Sequence, residues 1–581
     1  MPKLSHQALF GRRFARHVWR LTRTYWASAG ARRGGLLLAG AIVLELAAVY
    51  GNLLVSDAER RFMDALQDKQ PAAFIASMGL FAVVSAAFVL VSAYRVYLRQ
   101  LVDIRWRRSV TANYLDRWMT SRAYGLVQLH RDEVDNPDQR IAEDIRDFAS
   151  SALGLSLSLL AAVATLIAFG NLLWAVSAHW VLPLGATQLH IPGVLLWVAL
   201  LYAALSTWLT HVVGRPLVRL NVQRLRYEAD FRYQLMRFRD NAAVVVLSRG
   251  DSLERRGAME RFGRVVRNWW LLIAAQRRLT VFTGVIGQAN GVVPLLVAAP
   301  GFFAGLITLG IIVQIRFAYA QVSSALNWFV YAYQEIARWR ANIERLSTFR
   351  EVIDATARDF ERSKIETVMG APGALRLIDL QLVTRRGRAL IDTANACVTA
   401  GERVEIVGPS GAGKTTLLRA IAGIWPFGSG RIELPPEDRM LFVPQWPYLP
   451  ISSLRAAVSY PAAGSAFSDE QIRELLERLG LDQFATRLDD TALWDQELSP
   501  HEQQRLAIAR VFLNEPEWLF LDKATSALDA ETEQRVYQLL AARLPRATVV
   551  SVTDRAVEVA YYTRRWTLVP KDHGPSTLRT T

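Results

Sequence analysis

A glycine-punctuated run, Gly408-Pro409-Ser410-Gly411-Ala412-Gly413-Lys414-Thr415-Thr416, follows the apolar stretch Arg403–Val407 and leads into a second apolar stretch. The spacing predicts a strand, a tight phosphate-binding loop and a helix beginning near Thr416. Glycines let backbone N–H groups close around phosphate oxygens, and the helix N-terminus adds partial positive charge. Lys414 has the reach for β- and γ-phosphate oxygens, and the Thr415 hydroxyl suits Mg²⁺. Another apolar run, Trp518–Leu521, ends in Asp522. That places a carboxylate at the carboxyl edge of a buried strand, beside the metal. Gln445, which follows the strand Met440–Val443 and Pro444, is the candidate for sensing metal and water. ATP and Mg²⁺ are the cofactors these residues predict.

Between the Gln445 and Asp522 strands lies Ser499-Pro500-His501-Glu502. Locally it reads as a helix start: Ser499 is a good N-cap, Pro500 suits the first turn and Glu502 completes a capping box. From Leu375 onward, short β-rich runs such as Thr548–Val552 alternate with helical ones. This predicts an α/β P-loop nucleotide-binding domain over residues 374–570. The polar tail, 571–581, is expected to be unstructured. Cys397 is the sole cysteine in the sequence, so a disulfide framework and a thiolate metal site are excluded. It reads as a small strand filler.

The elements ahead of this domain are of another kind. At 581 residues, 51% hydrophobic and with a mean hydropathy of +0.14, the chain has the composition of a membrane protein carrying a soluble domain. Six runs are long enough to cross a bilayer, which takes roughly 20 apolar residues. They are 36–55, 74–94, 150–176, 194–213, 281–299 and 302–331, the last two joined at Pro300-Gly301. The sixth is long enough to project beyond the membrane. Polar stretches from Asp103 to Asp147 and from Arg215 to Arg278 are too long for tight turns and predict helices that run on past the membrane surface. Residues 1–349 form the predicted transmembrane domain. Residues 350–373, charged and ending in Gly370-Ala371-Pro372-Gly373, form a linker.

The formal net charge is +15. Arginines crowd before the first span (Arg12 to Arg33), between spans two and three (Arg95 to Arg108) and between spans four and five (Arg215 to Arg226), whereas 177–192 has no Lys or Arg. That is the positive-inside pattern, with both termini cytoplasmic. The basic residues track topology rather than one face, which argues against a nucleic-acid partner. The basic, amphipathic start reads as a surface-lying helix.

Phosphate loop, Gln445 loop, Ser499 helix, Asp522 strand and Ser526-Ala527-Leu528-Asp529 together resemble the ATP-binding cassette family, over essentially all of 375–570. In the membrane half, Asn136-Pro137-Asp138-Gln139-Arg140-Ile141-Ala142-Glu143-Asp144 and Glu228-Ala229-Asp230-Phe231-Arg232 look like the fused SbmA/BacA-like branch, related to the peroxisomal subfamily D half-transporters. Pro444-Gln445-Trp446-Pro447-Tyr448-Leu449-Pro450 points the same way. The resemblance implies an exporter-type fold, an integral protein of the bacterial inner membrane in contact with lipid, and a homodimer or a heterodimer with a second half-transporter. It implies ATP held between one chain's phosphate loop and the other's Ser499 helix. The solute it implies is peptide-like, cobalamin-like or an acyl thioester.

Against that pattern, Lys523 stands where a water-polarising Glu is expected, Asp554 where a His beside the γ-phosphate is expected, and Pro500-His501 where glycine would approach the partner's nucleotide. Loss of a general base costs roughly 10²–10⁴-fold, so slow ATP hydrolysis is expected. A Lys523–Asp554 ion pair and independent drift at the two positions are equally open. In a homodimer both ATP sites would carry all three departures. Within the spans, Glu45 and Arg316 are candidates for a pathway or for a structural pair. The alternative reading is a permease clamped by ATP and driven by a proton gradient through Glu45.

Overall fold

The computed structural model describes residues 12–27, 30–120, 124–125, 136–178, 181–184, 187–370, 373–436, 439–553, 561–571 and 574–581. It divides into two compact units, Met1–Asp116 with Asn136–Phe349, and Arg117–Asp135 with Arg350–Thr581.

In the first unit, among the described residues, α1 (Arg12–Trp26) precedes six helices long and apolar enough to cross a membrane. These are α2 (Ala31–Gln67), α3 (Pro71–Thr120), α4 (Pro137–Ser177), α5 (Val194–Asp240), α6 (Asp251–Phe303), and a sixth built from α7 (Leu309–Leu326) and α8 (Trp328–Glu361). The 50 residues of α3 span about 75 Å, more than twice the ~30 Å hydrocarbon core. Helix α3 is thus longer than one crossing needs, the length an extension past the membrane surface would require. Between α4 and α5 the chain forms an antiparallel hairpin, β1 (Val181–Leu184) and β2 (Thr187–His190).

The start of the sixth span differs from the expectation. Helix α6 runs through Pro300-Gly301 to Phe303, and α7 begins only at Leu309. Helix starts lie where their free N–H groups find acceptors, and here these come from outside the segment. Asp64 Oδ1 and Gln67 Oε1, at the end of α2, accept from the N–H groups of Gly310 (3.0 Å) and Leu309 (2.5 Å). Thr308 adds a side-chain cap on Ile311. Two acidic groups inside the bundle, Glu45 and Asp144, are likewise paired across helices. Glu45 Oε1 accepts from Arg95 Nη1 at 3.0 Å, so its partner is not Arg316, which is exposed. The 136–144 motif opens α4 with a π-helical turn, Arg140–Asp144. Buried Asp144 there accepts from Arg345 Nε and Nη2 at 2.8 and 2.5 Å.

The second unit holds β3 (Lys364–Met369), β4 (Ala374–Val383), β5 (Ala389–Thr399), β6 (Arg403–Val407), β7 (Gly428–Leu434), β8 (Met440–Val443), β9 (Trp518–Asp522), β10 (Thr548–Val552), β11 (Arg564–Pro570) and β12 (Ser576–Thr580). They form one sheet in the order β3-β7-β4-β5-β12-β11-β6-β10-β9-β8. Its β6-β10-β9-β8 portion is parallel, with Ile406 opposite Val552, Val552 opposite Asp522 and Leu521 opposite Val443. All of β10 and all but the last residue of β9 are buried, as apolar runs in parallel sheets covered on both faces should be.

Two stretches are more ordered than expected. Residues 350–373, expected as a linker, carry the end of α8 and strand β3, which pairs in parallel with β7. Within the tail, β12 pairs antiparallel with β11. Strand β12 is mostly polar, and β3 places a single core residue, Ile365, so neither shows a run of apolar residues.

Candidate functional site

Because β6, β10, β9 and β8 end in register, the segments that leave them converge at one edge of the sheet. This is where ligands bind in open α/β folds. The phosphate loop leaves β6. Gly408 has φ +149°, and a Cβ there would lie 2.7 Å from the Leu568 carbonyl oxygen. Gly413, at φ +101°, caps α9 (Lys414–Ile421), so the helix N-terminus points into the loop. Lys414 is buried, and its Nζ donates to the Gly408 carbonyl and, at 3.3 Å, to that of Pro409. Thr415 Oγ1 donates to Asp522 Oδ1 at 3.1 Å. Hydroxyl and carboxylate oxygens are thus adjacent at the rim of the loop, a hard-oxygen pair suited to Mg²⁺. Residues 409–416, Leu390 and Lys523 line a pocket of about 200 Å³. A second cleft shares Leu390, Ser410, Gly411 and Ala412 and adds Arg388 and Lys571, cations the motif reading did not include.

Lys523 follows β9 in the left-handed region, φ +54°, a conformation costly for a residue with a side chain and concentrated at functional turns. Its N–H donates to the Val552 carbonyl at 3.0 Å, and its side chain lines the phosphate pocket. The position expected to supply a general base therefore puts a lysine side chain in the pocket lined by the loop. Asp554, and with it the suggested Lys523–Asp554 pair, lies outside the described residues.

The capping box is present at the start of α10 (Pro500–Asn514). Ser499 Oγ accepts from the Glu502 N–H at 3.4 Å and donates to Glu502 Oε2 at 2.7 Å, while the Ser499 N–H donates to the same oxygen at 2.8 Å. Burial pushes the Glu502 carboxyl up, but the hydrogen bonds from Ser499 outweigh it and hold the group below the ordinary carboxylate value. The Ser499 hydroxyl proton is spent on its own cap, and His501 is exposed beside it. Asp529 caps α11 (Ala530–Arg543) through the Thr532 N–H at 2.9 Å and the Thr532 hydroxyl at 2.8 Å.

Gln504 is the residue the motif reading missed. It is 1% exposed and joins three segments. Its Oε1 accepts from the Ala527 N–H at 2.9 Å, and its Nε2 donates to the Gln445 carbonyl at 3.0 Å, with Ser526 Oγ at 3.4 Å and the Lys523 carbonyl at 3.5 Å. Gln445 Nε2 itself reaches Ser526 Oγ at 3.4 Å. Gln504 lies two residues past the capping box, and nothing in the local sequence marks it. Gln504→Leu leaves the half-buried Gln445 carbonyl and Ala527 N–H without these partners, each worth about 1–2 kcal/mol. It should cost about 2–4 kcal/mol and lower the thermal unfolding midpoint of the intact protein in nanodiscs. An unchanged midpoint would mean that the clip contributes nothing.

Residues 21–303 match the family description "ABC transporter transmembrane region 2", and residues 391–526 match "ABC transporter". An uncharacterised ABC transporter ATP-binding protein of Synechocystis is 35% identical over 87% of this chain and 76% of its own length. The inner membrane ABC transporter ATP-binding protein YddA of Escherichia coli is 31% identical over 92% and 94%. The human lysosomal cobalamin transporter ABCD4 is 26% identical over 76% of each chain. Among solved structures, a bacterial Atm1-family ABC exporter with ATP bound superposes with a TM-score of 0.67 over 93% of this chain and 94% of that one, at 19% identity. This last likeness concerns the fold alone.

Proposed function

Since the chain belongs to the ABC transporter family and carries its transmembrane region and ATP-binding domain in one polypeptide, we propose that it is a dimeric half-transporter in which ATP clamps two chains and is hydrolysed slowly. The observation behind this reading is the phosphate pocket itself. Lys414, Thr415 and Asp522 stand as nucleotide binding requires, and Lys523 occupies the place of a base. Lys414 and the loop N–H groups would hold the phosphates, and Thr415, Asp522 and Gln445 would hold Mg²⁺, which when bound neutralises phosphate charge. Lysine brings an amine in place of the carboxylate that would polarise water. Lys523 therefore favours bound ATP and leaves water unactivated.

The dimer would be a homodimer or a heterodimer with a second half-transporter, set in a bacterial inner membrane with both termini cytoplasmic. The solute is a peptide-like, cobalamin-like or acyl-thioester compound. The similarity to a cobalamin transporter and to D-family proteins supports this range. Transport assayed in inverted vesicles tests the energy source. Flux should be lost in Lys414→Ala and survive a protonophore. Flux that tolerates Lys414→Ala and collapses with the protonophore would instead favour proton drive through Glu45, whose carboxylate is held by Arg95.

A further inference from the structure

The phosphate pocket opens into a larger cleft. The two share Leu390, Ser410, Gly411 and Ala412, and the cleft holds about 620 Å³ against about 200 Å³ for the pocket. A triphosphate seated on the loop would therefore leave its nucleoside in the cleft. Two segments supply the rim. The turn from β4 to β5 places Arg388: the Thr384 N–H donates to the Arg388 carbonyl at 2.7 Å, and the Arg388 N–H donates to Thr384 Oγ1 at 3.1 Å. The chain leaving β11 places Lys571, whose Nζ donates to Asp392 Oδ2 on β5 at 2.6 Å.

The chemistry of this lining is one-sided. Arg388 and Lys571 donate and cannot accept, and the hydroxyls of Ser410 and Ser576 do either. The other lining residues are aliphatic or glycine, so among the described residues no aromatic ring, carboxylate or carboxamide lines the cleft. Among the same residues none pairs with the Arg388 guanidinium, which leaves its donors open to a ligand. Lys571 is offset by Asp392. The rim therefore offers more donors than net charge, which suits a neutral acceptor better than a further phosphate.

The purines differ at the edge that such donors read. Guanine presents two acceptors, O6 and N7, whereas adenine sets an N6 amino donor beside its N7 acceptor. Arginine and lysine match the first pattern, and asparagine or glutamine the second. An aromatic platform would hold any base by stacking; in this lining edge contacts decide. Resting on the reading of the phosphate pocket as a nucleotide site, we propose that Arg388 and Lys571 set the base preference. The site then takes triphosphates whose base carries a carbonyl acceptor, GTP first among them, at least as tightly as ATP.

The test is competition against a fluorescent ATP analogue on the full-length protein in nanodiscs, with ATP, GTP and inosine triphosphate as competitors. Inosine keeps the guanine carbonyl and lacks the 2-amino group, so it isolates the acceptor. GTP and inosine triphosphate should compete at least as well as ATP. In Arg388→Ala/Lys571→Ala both should weaken by about fivefold or more relative to ATP, the lower range of a good edge contact. Both side chains are exposed, so the variant keeps its fold, and a merely structural effect would weaken all three competitors alike. GTP binding weaker than ATP in the wild type, or a double variant that leaves the three affinities in their wild-type ratio, overturns the proposal. Analogue binding that is absent in the wild type, or undiminished in Lys414→Ala, overturns the nucleotide reading and this proposal with it.

Discussion

Converting Lys523 to Glu together with Asp554 to His should raise ATP turnover by about 10²–10⁴-fold, the usual contribution of a positioned general base. The expectation rests on position. Lys523 follows Asp522 directly, its N–H is fixed on the Val552 carbonyl, and its side chain lines the phosphate pocket. A glutamate in the same backbone conformation would bring a carboxylate to the edge of the phosphates beside the Thr415–Asp522 oxygen pair. Lys523→Glu alone should gain less, because Asp554 would then add a further negative charge where a histidine is expected. Phosphate release from the purified wild type, the single variant and the double variant in nanodiscs checks the order. Equal rates in all three would mean that something other than the base limits turnover, and the altered Ser499-Pro500-His501 helix start would be the next place to look.

Lys414→Ala should weaken ATP binding on the order of 100-fold, through the loss of about 3 kcal/mol of charge-assisted bonding to phosphate. Lys414 is buried, and its ammonium bonds to two carbonyls of its own loop. The alanine variant therefore loses a phosphate ligand and also leaves those carbonyls without their donor. Titration with a fluorescent ATP analogue measures the change. Lys523 is the reason the loss should not be total, since one cation still lines the pocket. A Lys414→Ala/Lys523→Ala double variant should fall further than Lys414→Ala, and equal affinities would remove Lys523 from the phosphate site.

What the sequence disclosed followed from how strictly local geometry constrains residue type. Gly408 and Gly413 are readable because left-handed backbone beside packed neighbours leaves little alternative. Asp522 is readable because an uninterrupted apolar run marks a buried parallel strand, and Ser499-Glu502 because a capping box spans four residues. Features that depend on distant segments were not legible. The partner of Glu45 is Arg95, fifty positions away, and the start of the sixth span is set by Asp64 and Gln67 across 246 and 242 residues. Gln504 looks like any polar helix residue until the fold brings Gln445 and Ala527 to it. Strands β3 and β12 are too short in apolar residues to stand out, and are placed by pairing with β7 and β11.

The central claim is that this chain holds ATP without readily cleaving it. Purified protein in nanodiscs, incubated with labelled ATP and Mg²⁺ and then separated from free nucleotide, tests it most directly. Bound label should be recovered as intact ATP over many minutes, and Lys414→Ala should retain little label. Recovery chiefly as ADP, with steady phosphate release abolished by Lys414→Ala, would contradict it.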